Sequence, residues 1–298
     1  MADYVVERVR DVKLACKEPL KSMDWMSPFV WRDGELHWMM MRGVPNPLDD
    51  GKPTGVIWCG CSRDGLTFDM DDKPAIVPGP DDVDAGGVED PTVEVTDDGL
   101  MVYFTGVEAG RQQGSLLVAT GKDLHSLKKR AVMLKAPEGQ GNIKEATLAQ
   151  AEDGSWRMFY EYAADGASRI GMATSPKLGG PWKPVNSPVP IRTESWDNWH
   201  LSTGPIVTLP GRNPVMFYNG ATVDARWRIG WVAFDASYSK IVDRCIEPLV
   251  MPPPAEDRTA TDIAFAASAL VDDERNLSLY YSLEDRRLAR ARVRGYFD

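Results

Sequence analysis

The stretch EATLAQAEDGSWRMFYEYAADGASRIGMATSPKLGGPW, residues 145–182, contains three short strand-like runs separated by turn residues. The runs are EATLAQ, SWRMFYEY and RIGMATS, and the turn Asp153-Gly154 separates the first two. Runs of aromatic, β-branched and small residues between Asp-Gly turns are typical of β-strands. The stretch therefore predicts a unit of strand, tight turn, strand, loop and strand.

The same unit recurs along the chain at intervals of roughly 55 to 65 residues, which is about the length of one β-propeller blade. Its middle strand returns as ELHWMMMR (35–42), LMVYFTG (100–106), NPVMFYNG (213–220) and LSLYYSLED (277–285). These repeats predict an all-β fold, a five-bladed β-propeller that residues 1–298 form as a single domain. The predicted blades span roughly residues 20–75, 85–130, 140–190, 200–245 and 260–295. A pair of β-sandwiches is the alternative architecture.

The charge balance excludes some classes of partner. The chain has 34 basic and 44 acidic residues, a formal net charge of −10. Nucleic acids and anionic membrane surfaces attract basic stripes, so neither is an expected partner. No apolar run reaches the roughly 18 residues that a membrane helix needs, and the first 20 residues lack the apolar core of a secretory signal. We therefore expect a cytoplasmic protein, and a neutral partner such as an oligosaccharide is compatible with this charge.

The four cysteines do not form a recognisable metal or disulfide pattern. Cys59 and Cys61 form a C-x-C pair, but Cys16 and Cys245 bring no second pair and no nearby histidine. We expect free thiols, no metal site and no organic cofactor. The loop at residues 44–50 could cap a neighbouring subunit, which leaves a homo-oligomer possible.

In a propeller, the first strand of each blade lines the central channel, so residues near the starts of these strands converge on one face. The chain places many carboxyl groups there, with aromatic residues beside them. Facing carboxyl groups next to tryptophans are suited to glycoside cleavage, in which one acid protonates the leaving oxygen and a second group assists the attacking water. The polar residues near these strand starts are Asp24, Ser27, Glu89, Asp90, Lys144, Glu145, Asp197, His200 and Asp262. The aromatic residues beside them are Trp25, Trp196, Trp199 and Phe265.

Several motifs resemble glycoside hydrolase family 130, the mannoside phosphorylases and β-mannosidases. The segment Gly86-Gly87-Val88-Glu89-Asp90-Pro91 is similar to the family's G-[IV]-E-D-P-R. RIGWVAFDASYSKIVDRCIEPLV (228–250) resembles a longer family signature, and the likeness extends over roughly residues 20 to 295. Weaker matches are Met41-Arg42, Lys144, Phe217-Tyr218-Asn219-Gly220 and Tyr280-Tyr281-Ser282-Leu283-Glu284-Asp285.

The resemblance implies a five-bladed propeller that cleaves a β-linked mannoside, with Asp90 as general acid. Arg42, Lys144 and Asp285 would hold the sugar or the nucleophile. The chain departs from the family pattern at Thr92, Glu161 and Asn219. Basic groups stand at the latter two positions in the phosphorylases, where they bind phosphate.

Phosphate binding needs several charge-assisted donors, and a carboxylate at Glu161 repels the anion instead. The sequence therefore favours hydrolysis, with Glu161, or otherwise Glu145, as the group that assists water. A phosphate-dependent phosphorylase and a non-catalytic carbohydrate-binding propeller are the alternatives. Besides the catalytic Asp90, Glu161 and Glu145, the predicted substrate-binding residues are Arg42, Glu89, Lys144, Trp199, His200, Tyr218, Asn219, Asp262 and Asp285.

A weaker likeness connects the chain to glycoside hydrolase family 43, which is also five-bladed. It rests on Ile143-Lys144-Glu145-Ala146 and on Leu178-Gly179-Gly180-Pro181-Trp182. That family would make Glu145 the acid and Asp90 the residue that tunes it. Its catalytic base, however, would fall at Ser27, which cannot act as a carboxylate base, so family 130 ranks first.

Overall fold

A computed structural model describes residues 4–272 and 275–295, and within these ranges the chain is almost entirely β-structure. One short 3-10 helix, Leu20–Ser22, interrupts the strands. The prediction of an all-β fold is confirmed. The strands are β1 Tyr4–Ala15, β2 Met23–Asp33, β3 Leu36–Pro45, β4 Val56–Ser62, β5 Thr67–Met70, β6 Gly87–Thr96, β7 Gly99–Val107, β8 Gly114–Gly121, β9 Lys128–Leu134, β10 Gly141–Gln150, β11 Trp156–Ala164, β12 Ala167–Ser175, β13 Lys183–Val185, β14 His200–Ser202, β15 Ile206–Val207, β16 Val215–Met216, β17 Asn219–Ala221, β18 Arg228–Ile229, β19 Val232–Phe234, β20 Ile241–Arg244, β21 Ala264–Val271, β22 Leu277–Leu283 and β23 Arg287–Gly295.

The second and third predicted repeats each form one four-stranded antiparallel sheet, β6-β7-β8-β9 and β10-β11-β12-β13. The fourth repeat is divided into two sheets, β14-β17-β18 and β15-β16-β19-β20. The first and fifth repeats are joined in one eight-stranded sheet with the order β2-β3-β4-β5-β1-β23-β22-β21. The five sheets therefore do not correspond one to one to the five predicted blades, and the number of blades stays a prediction.

Strand β1 causes this joining. It lies before the first predicted blade, and it runs antiparallel to β23 from Tyr4↔Gly295 to Val12↔Leu288. Its last residues, from Lys13 to Ala15, pair in parallel with β5. Because both edges of β1 are paired, the first and the last repeat cover each other's exposed strand edges.

The first strands of three repeats carry a β-bulge at equivalent places. The register shifts between Met26 and Phe29 in β2, between Glu89 and Thr92 in β6, and between Lys144 and Thr147 in β10. The residues Ser27, Asp90 and Glu145 within these bulges have φ angles of 49°, 51° and 53°. A bulge bends the strand and changes the direction of a side chain, which is common beside functional sites.

The core is formed by apolar side chains between neighbouring sheets. The buried methionines Met39, Met40 and Met41 fill the first repeat, and Phe104, Phe159 and Phe217 occupy later ones. Asn219 is a polar exception that joins the fourth and fifth repeats. Its amide donates to the carbonyl oxygens of Thr203 (2.6 Å) and Ala266 (3.1 Å) and accepts from the Ala266 N–H (2.7 Å).

The Asn219→Ala substitution is predicted to destabilise the fold by about 3 kcal/mol, because it leaves these backbone groups buried without partners. Urea denaturation measures the free energy of unfolding. The exposed Asn213 offers a matched control, and Asn213→Ala should change it by less than about 0.5 kcal/mol. A loss below about 1 kcal/mol for Asn219→Ala would contradict the bridging role.

Candidate active site

Asp90 lies in the bulge of β6 and is almost completely buried. The Ser27 hydroxyl, from the bulge of β2, donates to Asp90 Oδ1 over 2.7 Å. Ser27 is held in turn, since its backbone N–H donates to the Ser282 hydroxyl over 3.2 Å. The first, second and fifth repeats therefore meet at this carboxyl group.

The neighbouring Glu89 is a buried carboxylate that two cations share. Arg42 Nη2 donates to Glu89 Oε1 over 2.8 Å, and Lys144 Nζ donates to Oε2 over 3.1 Å. Although burial opposes ionisation, the two cations hold the pKa of Glu89 below its usual range. Arg42 also donates to the Thr54 carbonyl oxygen and stands 3.8 Å from Asp90 Oδ1.

Glu145 and Glu161 bring two further carboxyl groups to this place. Glu161 lies opposite Lys144 in the pairing of β10 with β11, and the Ser168 hydroxyl donates to Glu161 Oε1 over 2.9 Å. The backbone of Glu145 is fixed, because Thr203 Oγ1 donates to its carbonyl oxygen over 2.5 Å.

Unlike Glu89, four carboxyl groups at this place resist ionisation. Burial raises the pKa values of Asp90, Glu145 and Glu161, and repulsion from Asp90 and Glu161 adds to the effect on Glu145. Burial also raises the pKa of Asp285, which interacts with Arg42 and Asp90. Such groups retain a proton at higher pH than an ordinary carboxyl group, which is the property that a general acid requires.

The structure thus brings together the larger part of the predicted site. We call this group the carboxyl cluster; it comprises Arg42, Glu89, Asp90, Lys144, Glu145, Glu161 and Asp285.

His200 and Trp199 lie beside the carboxyl cluster. The Ser168 backbone N–H donates to His200 Nδ1 over 3.1 Å, so a neutral His200 carries its proton on Nε2. Burial, with repulsion from Arg169, lowers the pKa of His200. The side chain of Trp199 is partly exposed, while its carbonyl oxygen accepts from Arg169 over 2.7 Å.

Tyr218 and Asn219 are both completely buried, and their polar groups bind other parts of the protein. The Tyr218 hydroxyl donates to Asp197 Oδ2 over 2.6 Å and accepts from Arg244 Nε over 3.1 Å. The Tyr218 ring stacks on Trp196 with ring centroids 5.6 Å apart. Asp262 lies apart from the carboxyl cluster's contacts, among three arginines. Whether these residues bind substrate stays a prediction.

Ser168 is a site residue that the sequence analysis missed. Glu161 pairs with Ile170 across the β11–β12 hairpin, so Ser168, two residues from Ile170, is a diagonal neighbour on the same face. The short loop at residues 165–166 fixes this register. Working out the register of the predicted hairpin would have identified Ser168.

Within residues 4–272 and 275–295, the cysteines Cys16, Cys59, Cys61 and Cys245 are free thiols. No helix in those ranges has the length and apolar character to cross a membrane.

Fold and site together define an all-β, propeller-like protein with a carboxyl-rich site of the kind that carbohydrate-cleaving enzymes use. The sequence profile of glycoside hydrolase family 130, described as β-1,4-mannooligosaccharide phosphorylase, matches residues 51–294. The chain therefore belongs to glycoside hydrolase family 130. The likeness to family 43 rests on the sequence motifs alone.

Several known proteins are similar to this chain. A 1,2-β-oligomannan phosphorylase of Thermoanaerobacter sp. (strain X514) is 25% identical over 245 residues, covering 79% of this chain and 77% of the relative. Among solved structures, the β-1,2-mannobiose phosphorylase of Listeria innocua superposes with a TM-score of 0.74 at 18% identity, covering 96% of this chain and 90% of that one. A family 130 structure from work on glycoside hydrolases that target β-1,2-mannosidic linkages in Candida mannan has a TM-score of 0.74 at 19% identity, with 91% and 84% covered. The two structures share the fold.

The Glu145→Gln substitution is predicted to stabilise the protein increasingly as the pH rises from about 4 to 8. When the pKa of a carboxyl group is higher in the folded than in the unfolded protein, the free energy of unfolding falls as the pH rises. At high pH the group ionises freely in the unfolded chain but at a cost in the folded one. Glutamine removes this dependence. Urea denaturation at several pH values measures the difference, with Glu138→Gln at an exposed position as control. An equal effect of Glu145→Gln at every pH would contradict the raised pKa.

Proposed function

We propose that this protein cleaves β-mannosidic bonds in short mannooligosaccharides, with Asp90 as the general acid. One observation carries the proposal: Asp90 is buried beside further carboxyl groups, and burial raises its pKa. A carboxyl group of this kind retains its proton more readily and can protonate the leaving oxygen of a glycoside. The family profile and the curated relative, which are named for mannooligosaccharides and oligomannan, support the substrate class.

The comparisons support phosphate as the acceptor of the mannosyl group better than water, which the sequence analysis favoured. The family is described as a phosphorylase family, and the Thermoanaerobacter relative is named as a phosphorylase. In a phosphorolytic reaction, the Arg42 guanidinium and the Lys144 ammonium group are the cations of the carboxyl cluster that would hold phosphate. His200 Nε2 would be a further donor beside them, since Nδ1 is already an acceptor.

Water is a second candidate because of the charge of the site. Both cations of the carboxyl cluster already share Glu89, and Glu161 stands where the phosphorylases have a basic group. The Ser168 hydroxyl orients the Glu161 carboxylate, which could then accept a proton from an attacking water. In that case Glu161 is the base and Asp90 the acid of an inverting hydrolysis.

A product analysis separates the two acceptors. The purified protein is incubated with β-1,2- and β-1,4-linked mannobiose and mannotriose, with and without inorganic phosphate. Mannose 1-phosphate that forms only with phosphate supports phosphorolysis. Free mannose in both conditions supports hydrolysis, and Glu161→Gln should then reduce the rate at least about 100-fold. No product in either condition overturns the proposal and favours a carbohydrate-binding protein without catalysis.

The fold forms the second part of the proposal, a five-bladed propeller. Each of the five repeats contributes an innermost strand, β2, β6, β10, β14 with β15, and β21. On this view β1 is the outermost strand of the fifth blade, which follows the order β21-β22-β23-β1. The pairing of β1 with β5 would then close the ring between the fifth and first blades.

The Asp90→Asn substitution is predicted to lower kcat on unactivated mannooligosaccharides at least about 100-fold, because asparagine cannot donate the proton. An activated substrate such as 4-nitrophenyl β-mannoside needs less protonation, so its turnover should fall much less. Asp98→Asn, at an exposed turn, is the matched control and should retain activity. Equal losses on both kinds of substrate would remove Asp90 from the role of acid.

A further inference from the structure

Three arginines, two from the fourth repeat and one from the segment between β20 and β21, surround one carboxylate. Arg226 Nε donates to Asp262 Oδ2 over 2.9 Å, Arg258 Nη1 contacts the same oxygen, and Arg228 Nη1 stands 3.7 Å from Oδ1. Arg228 and Arg258 are each only 17% exposed, whereas Arg226 is half exposed. We call Arg226, Arg228 and Arg258 the arginine cluster.

The arginine cluster carries more positive charge than the neighbouring carboxylates neutralise, and it has more hydrogen-bond donors than the neighbouring oxygens accept. A guanidinium group carries five N–H donors. Among the described residues, Arg228 donates one hydrogen bond, to the Trp227 carbonyl oxygen. Besides Asp262, the carboxylate near the arginine cluster is that of Asp224, which lies 3.7 Å from Arg226. Three guanidinium groups thus face two carboxylates, in a chain whose net charge is −10. Burial and repulsion from the other two arginines lower the pKa of Arg228, which agrees with an excess of positive charge.

A series of contacts connects the arginine cluster to the carboxyl cluster. The Trp227 ring lies 5.4 Å from the His200 ring and 5.4 Å from Phe265. His200 accepts from the Ser168 N–H, and the Ser168 hydroxyl donates to Glu161. The arginines therefore lie beside an aromatic wall that continues toward the proposed catalytic groups, and aromatic faces pack against the apolar faces of sugar rings.

We propose that the arginine cluster binds an anionic substituent, a carboxylate or a phosphate monoester, on the oligosaccharide that the enzyme cleaves. Guanidinium groups match planar carboxylate and phosphate oxygens in paired hydrogen bonds, and partial burial strengthens these bonds. Asp262 holds the arginines in place while no substrate is bound, and its carboxylate is the group that an anionic substituent competes with. The inference rests on the proposed function, and it narrows the substrate to acidic mannosides.

A purely structural role makes a different prediction. If the arginines only fixed Asp262 and the loop before β21, removing any partner would lower stability without affecting a preference for anions. If the arginine cluster binds an anion, Asp262→Asn removes a competing negative charge and tightens anion binding, whereas Arg228→Gln and Arg226→Gln weaken it. The opposite signs of these changes separate the two roles.

Equilibrium binding tests the inference without requiring turnover. Mannose, mannuronate, mannose 6-phosphate and inorganic phosphate are titrated into the protein at constant ionic strength and followed by calorimetry. We expect mannuronate or mannose 6-phosphate to bind about tenfold tighter than mannose, which one charge-assisted pair of hydrogen bonds provides. Whichever of the two binds more tightly identifies the substituent as a carboxylate or a phosphate ester.

The variants give the decisive comparison. Arg228→Gln and Arg226→Gln should each remove most of the preference for the anionic sugar, and Asp262→Asn should increase it several-fold. Arg10→Gln, on the exposed part of β1, should change nothing. Equal binding of mannose and both acidic sugars would overturn the inference, and so would a preference for the acidic sugars that Arg228→Gln and Arg226→Gln leave unchanged.

The binding experiment can fail without the proposed function failing, and the reverse is also true. Turnover of neutral mannobiose by the parent protein, together with no preference for acidic sugars, overturns the inference and retains the proposed function. A preference for acidic sugars that Arg228→Gln abolishes, with no turnover of any mannoside, supports an anion site and overturns the proposed function.

Discussion

The site depends on one buried carboxylate, Glu89, whose two oxygens each accept from a different cation. Arg42 comes from the first repeat, Glu89 from the second and Lys144 from the third. A carboxylate that is only 1% exposed pays a large desolvation penalty, and the two cations offset it. Because both cations are engaged with Glu89, neither fully neutralises the adjacent Asp90. Burial, with repulsion from Glu89, therefore raises the pKa of Asp90 beside the ion pairs that hold three repeats together.

The bulges in the first strands of three repeats are the second constraint. Ser27, Asp90 and Glu145 have positive φ angles, a conformation that costs a residue with a Cβ roughly 1 to 2 kcal/mol. The strain recurs at equivalent positions in three repeats, where each bulge places a polar group toward the same cluster. A regular strand would instead turn Glu89 and Asp90 to opposite faces of the sheet. With the bulge, Glu89 faces the cations while Asp90 reaches the Ser27 hydroxyl.

Much of this arrangement could be predicted from the sequence, because the starts of repeated strands converge in any closed ring of sheets. Asp90, Lys144 and Glu145 were predicted on that basis, whereas Glu161 was predicted from its departure from the family 130 pattern, and the four residues do lie together. The sequence did not show that Tyr218 and Asn219 are both fully buried, because Tyr218 lies between β16 and β17, where the strand pattern is interrupted. Strand β1 was missed because Arg8 and Arg10 interrupt its apolar pattern, and its pairing with β23 depends on residues nearly 300 positions away.

The residue types in this site do not by themselves distinguish hydrolysis from phosphorolysis. A carboxylate beside a bound phosphate is repulsive only while it is ionised, and burial raises the pKa values of Asp90, Glu145 and Glu161. In its protonated form, each of these carboxyl groups can donate a hydrogen bond, and an anion such as phosphate can accept that bond. Glu161 can therefore act as a base for water when it is ionised or as a donor to phosphate when it is protonated. Burial raises the pKa of Glu161, while Lys144 and the Ser168 hydroxyl act in the opposite direction, so these neighbours shift the balance between its two forms.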